Sequence, residues 1–109
     1  EQNPAWSEAE LEPWINSKHR VSPKVTALID PPDMISIDLP NLFKKITCPT
    51  LLISAESKRG AASSEKDIAQ LKTYIPHMQV THIADAGHSI RREQFAKYLE
   101  CVQTFMKGL

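Results

Sequence analysis

Leu11, Trp14 and Ile15 recur at helical spacing directly behind Ser7-Glu8-Ala9-Glu10. That tetrad is a capping-box pattern, in which the serine accepts a first-turn amide and the glutamate three residues on reaches back. A helix is predicted to start there, with Pro13 expected to kink or split it because proline lacks an amide donor. Lys18, His19 and Arg20 suit its last turn, where positive charge meets the helix dipole. Ser22-Pro23 restarts a short helical piece through Val25, Leu28 and Ile29, which Pro31-Pro32 stops. Residues 1–40, rich in proline, read as short broken helices rather than as a framework.

From Asn41 the pattern changes. Leu42, Phe43 and Ile46 finish a short helical approach, and Cys48-Pro49-Thr50-Leu51-Leu52-Ile53-Ser54 reads as a strand apolar on both faces, the signature of a buried parallel strand. After a polar loop at 56–62, a helix capped near Ser63 or Ser64 carries Ile68, Leu71, Tyr74 and Ile75 and ends at Pro76. Residues 78–84 form the second predicted strand. Arg91 or Arg92 then opens a final helix whose Phe95, Tyr98, Leu99, Val102, Phe105 and Met106 make one stripe up to Gly108. The order strand, helix, strand, helix implies an α/β fold with parallel neighbours joined by a right-handed crossover. Two parallel strands cannot bury both of their faces, so the segment is expected to be incomplete as a lone domain.

Charge and composition narrow the partners. Thirteen basic and thirteen acidic side chains cancel, leaving no field to recruit nucleic acid or an anionic membrane. No apolar run approaches the roughly 20 residues that span a bilayer. Glu1-Gln2-Asn3-Pro4-Ala5-Trp6 lacks the basic and apolar regions of a signal peptide, so a soluble, cytoplasmic setting is expected. Cys48 and Cys101 lack metal-ligand spacing and read as two buried reduced thiols. His19, His77 and His82 have no i, i+4 partner for zinc, and no cofactor is expected.

The chemistry concentrates in Asp85-Ala86-Gly87-His88-Ser89-Ile90, directly behind the second strand. A histidine just past a strand, with glycine before it and a helix behind it, is placed where an α/β enzyme keeps a catalytic base. No Gly-x-Ser-x-Gly turn occurs in the 109 residues, so the nucleophile is missing.

Ile46-Thr47-Cys48-Pro49-Thr50-Leu51-Leu52-Ile53 is similar to the late "I-x-x-P-x-L-x-I" strand of the α/β-hydrolase fold, and Ile83-Ala84-Asp85-Ala86-Gly87-His88-Ser89-Ile90 resembles that family's catalytic-histidine loop. Glu93-Gln94-Phe95 and the closing helix look like the family's usual ending. The resemblance covers residues 41–109, the carboxyl-terminal portion of the core; residues 1–40 look generically like a cap or lid segment. It implies a Ser-His-acid hydrolase acting on an ester or related acyl substrate. His88 would be the base, and the serine and oxyanion hole would lie in the amino-terminal part of the domain, supplied in cis or in trans.

Relatives often place the orienting acid just beyond the first of these strands, three residues after a glycine. Here Ala55 takes the glycine-like place and Lys58 the acid-like place, a departure from the family pattern. Glu56, the nearest carboxylate, is either the orienting acid or a surface residue paired with Lys58 and Arg59. Asp85 is near His88 in sequence, but the intervening turn is expected to aim it elsewhere. Lys58-Arg59-Gly60 is a basic turn, solvated or facing an anionic group. Trp6 and Trp14 either line a cap or simply pack, and Arg91 or Arg92 is expected to pair with Glu93 or another acid. Because Lys58 stands where an acid is usual, the alternative is a non-catalytic binding or interaction module on the same fold.

Overall fold

The computed structural model describes residues 6–28 and 37–109. The chain divides into two units, Glu1–Asp38 and Leu39–Leu109. The expected contribution of Ile29, the stop at Pro31-Pro32 and the segment before Trp6 lie outside the described residues.

In the first unit, helix α1 spans Glu8–His19, beginning where the capping pattern places it, although the Ser7 side chain makes no capping hydrogen bond. Backbone bonds from Glu10 and Leu11 to the Ser7 carbonyl, both 3.0 Å, close the first turn instead. The helix also runs through Pro13 without the expected split. Proline removes one amide bond, and its would-be acceptor, the carbonyl of Ala9, belongs to an exposed residue that water can serve. The Trp14 ring meets buried Trp6 edge-on at 5.6 Å and carries Lys18 Nζ at 5.3 Å from its centroid. A 3-10 helix, Pro23–Leu28, follows.

The second unit is a short parallel sheet flanked by helices. Helix α2 (Leu39–Phe43) meets α3 (Glu65–Tyr74) through stacked rings of Phe43 and Tyr74, 6.5 Å apart. A full capping box starts α3: the Ser64 hydroxyl accepts from the Asp67 amide at 3.3 Å, and Asp67 Oδ2 accepts from the Ser64 amide at 2.8 Å. Strands β1 (Leu51–Ser54) and β2 (Gln79–His82) pair in parallel, Leu51 opposite Gln79 and Ser54 opposite His82. Bonds of 2.9 Å from Gln79 N to Thr50 O and from Ile83 N to Ser54 O extend the ladder at each end.

Both strands are shorter than their apolar runs. Pro49 has no amide to give, and the Cys48 carbonyl is taken by His77 Nε2 and Thr50 Oγ1, each at 2.9 Å, so pairing stops at the Thr50 carbonyl and does not reach back to 48–49. Neither cysteine is buried as expected: Cys48 is exposed and Cys101 half-buried, and both are free. Met78 gives its amide to Ile75 O at 3.0 Å in the turn before β2.

The single closing helix predicted from Arg91 is two helices, α4 (Ile90–Glu93) and α5 (Phe95–Lys107), broken at Gln94, whose φ of −138° and ψ of 56° are not helical. At the break, Glu93 turns back onto the preceding loop and Gln94 Nε2 donates to Asp85 O at 3.2 Å. The apolar stripe of α5 is also wider than one buried face. Tyr98 packs on the core while Phe95, Leu99 and Met106 stay exposed.

That core consists of Ala55, Ile83 and Ala86, with Ile53, Ala61, Ile90 and Tyr98 packed around it. Ala55 and Ala86 belong to the loops leaving β1 and β2, so this cluster lies at the strand ends, while Ile75 and Met78 are buried in the turn before β2. Among the described residues, no helix is long and apolar enough to cross a membrane.

Candidate active site

Side-by-side parallel strands deliver their following loops to the same edge of a sheet. Here the two loops are tied together. Glu56 N donates to Ala86 O at 3.0 Å, and Asp85 N donates to Glu56 Oε1 at 3.2 Å. Arg59 Nη2 stands 3.7 Å from Asp85 Oδ1. Asp85 has a φ of 62°, a left-handed conformation that aspartate tolerates better than most residues. This turn directs its carboxylate to Arg59.

Gly87 sits where the loops touch. A Cβ built on it would overlap the Arg59 carbonyl oxygen, so glycine is required by close backbone approach rather than by backbone conformation. His88 follows, exposed, with no side-chain hydrogen bond or ion pair to another described residue. Together with Ser89, Ile90, Arg91 and Arg92 it lines an open recess of about 310 Å³.

Glu93 holds the loop from the other side. Its Oε2 accepts from Gly87 N at 2.6 Å and its Oε1 from Ser89 N at 3.1 Å, bracketing His88. The sequence marks Glu93 as part of a family-like ending and as an ion-pair partner for arginine, but not as an acceptor for the loop amides. The available signal was its place four residues after Ser89 at a helix start, where a carboxylate reaches back to free amides.

Glu56 does not hydrogen-bond to His88. One oxygen takes the Asp85 amide, and the other lies 3.2 Å from Lys58 Nζ and 3.3 Å from Arg59 Nε. The buried Oε2 is thus balanced by ion pairs rather than by a hydrogen bond of good geometry. The Asp85 amide first, then Lys58, and more weakly Arg59, hold the carboxyl below its ordinary 4.5, against a smaller opposing effect of desolvation. Lys58 and Arg59 lie in a 3-10 turn, Ser57–Arg59, closed by Gly60 in the left-handed region.

A second feature comes from strand register. Ser54 and His82 end their strands opposite one another, and Ser54 Oγ lies 3.2 Å from His82 Nδ1. Ser54 is only 5% exposed, and no carboxylate bonds to His82 among the described residues, so this is a Ser–His pair without a third member. Sequence alone puts both residues near strand ends but does not supply the register that joins them. His77 serves the backbone of Cys48, as described above. No cluster of three or more His, Cys, Asp or Glu among the described residues could hold a metal ion. No protein-family model matches the chain, and neither the curated proteins nor the solved structures searched contain a match.

Proposed function

We propose that the chain is the carboxyl-terminal portion of an α/β-hydrolase that cleaves an ester or related acyl substrate, with His88 as its general base. The observation that carries the reading is the setting of His88: an imidazole without a polar partner among the described residues, beyond the end of a parallel strand, on a loop pinned by hydrogen bonds on both sides. The nucleophilic serine and oxyanion hole belong to the amino-terminal part of the domain, present in cis or in trans, and residues 1–40 contribute a cap. His88 takes the serine proton as Oγ attacks the acyl carbon. The imidazolium then protonates the departing alcohol, and water repeats the cycle to release the acid. Glu56 is the candidate orienting carboxylate: it is held ionised and tied to the His88 loop through the Asp85 amide. The open sheet edges and the exposed apolar residues of α5 supply surface for the rest of the domain.

Ser54 is a poor rival nucleophile because it is buried within the strand pair, where an acyl group has no access. A non-catalytic module on the same fold is favoured by one specific observation, the Lys58–Glu56 ion pair, which occupies the carboxylate that would orient the base. Labelling of the intact protein with a fluorophosphonate separates the readings. Labelling that disappears in His88→Ala supports the hydrolase; absence of labelling, with a small-molecule ligand still bound, supports the module.

A further inference from the structure

Gly87 and Ser89 turn their amides to a single carboxylate, and the residue between them is His88. The two amides need two acceptors. A buried or half-buried N–H without one is destabilising, and a charged acceptor holds such groups more tightly than a neutral one. Glu93 is half-buried and supplies one oxygen to each, at 2.6 and 3.1 Å. It does so from the last position of α4, whose Glu93 amide bonds back to Ser89 O at 3.0 Å. The side chain and backbone of one residue therefore fix both flanks of the histidine. On the far side, Glu56 N holds Ala86 O and Gly87 abuts Arg59, leaving the peptide planes around His88 little freedom. Among the described residues His88 has no hydrogen-bond or ion-pair partner to set its orientation, so the held backbone on either side is what places its imidazole.

We infer that Glu93 is a positioning residue that aims the His88 imidazole by clamping the Gly87 and Ser89 amides. The inference rests on the reading of His88 as the general base. Gln at this position has the same shape but only one acceptor; its NH2 group would face an amide donor, so one of the two bonds must be lost. Asp keeps both oxygens on a stem one carbon shorter and recovers part of the clamp.

The test uses the intact protein, with p-nitrophenyl acetate as substrate and amide exchange read by NMR or mass spectrometry. Glu93→Gln is expected to lower kcat about 10- to 100-fold through misplacement of the base, with KM little changed and Glu93→Asp intermediate. Exchange of the Gly87 or Ser89 amide should quicken about tenfold or more. In the His88→Ala background, Glu93→Gln should lower turnover no further, because the clamp acts only through that imidazole. Unchanged exchange in Glu93→Gln overturns the clamp whatever the kinetics. Faster exchange with full kcat, while His88→Ala is inactive, overturns the positioning role and leaves the base in place. Full turnover in His88→Ala overturns both readings together. An equal loss in both backgrounds marks Glu93 as a general support of the fold and also overturns the inference.

Discussion

Three glycines in different settings make the packing of the two strand-end loops testable. A methyl group on Gly87 would overlap the Arg59 carbonyl oxygen and approach the Arg59 carbonyl carbon to 3.1 Å and Cβ to 3.2 Å, so backbone must move. Overpacking of this kind costs about 1–3 kcal/mol. The displacement also strains the bond from Glu56 N to Ala86 O, adding about 1 kcal/mol. Gly87→Ala should therefore destabilise the protein by about 2–4 kcal/mol. Gly60 has open space around it but a φ of +84°, so Gly60→Ala should cost roughly 1–2 kcal/mol of conformational strain alone. Gly108 ends α5 at a φ of −89° and would place a methyl at an ordinary 3.5 Å from Phe105 O; alanine there should change stability by less than about 0.5 kcal/mol. Urea denaturation of the intact protein and the three variants measures the order, and faster exchange of the Glu56 amide in Gly87→Ala alone localises it. A Gly87→Ala variant no less stable than Gly60→Ala would refute the tight docking of the two loops.

Other expectations follow from individual contacts. Ser54→Ala removes the bond to His82 and should cost about 1 kcal/mol in urea denaturation, yet leave ester turnover intact; lost turnover would instead make Ser54 a reacting group. Glu56 has a folded-state pKa below its ordinary 4.5, so its stabilising contribution is full above that value and lost as pH falls through the lowered folded pKa. Melting temperatures taken from about pH 6 down to about pH 3 should therefore fall less steeply in Glu56→Gln than in the parent, and identical slopes would contradict the ion-paired carboxylate. Ser64→Ala breaks the capping box of α3 and should cost about 1 kcal/mol, readable as a lower urea midpoint that Ser64→Asn restores.

The elements were legible because their signals are local. Ser63-Ser64 ahead of the Ile68, Leu71 periodicity marks the start of α3, and the run Leu51-Leu52-Ile53-Ser54 marks a strand, since capping chemistry and apolar continuity are written in neighbouring residues. Features that depend on distant partners were not legible. The Cys48 carbonyl is claimed by His77, which shortens β1 in a way its own residues do not announce. The break at Gln94 accompanies side chains drawn to a loop up to nine residues earlier, so helical periodicity carries straight through it. At the site, the position of His88 could be read from its strand, glycine and helix context. The requirement for Gly87 depends on the Arg59 carbonyl, twenty-eight residues away, and the Ser54–His82 pair on register. Both arise only once the strands are side by side.

The central claim is that His88 is a general base, and turnover of p-nitrophenyl esters by the intact protein tests it most directly. His88→Ala is predicted to lower kcat/KM by several orders of magnitude, because members of a nucleophile–base unit act together, while thermal stability changes little for so exposed a side chain. Near-normal turnover in His88→Ala would contradict the account.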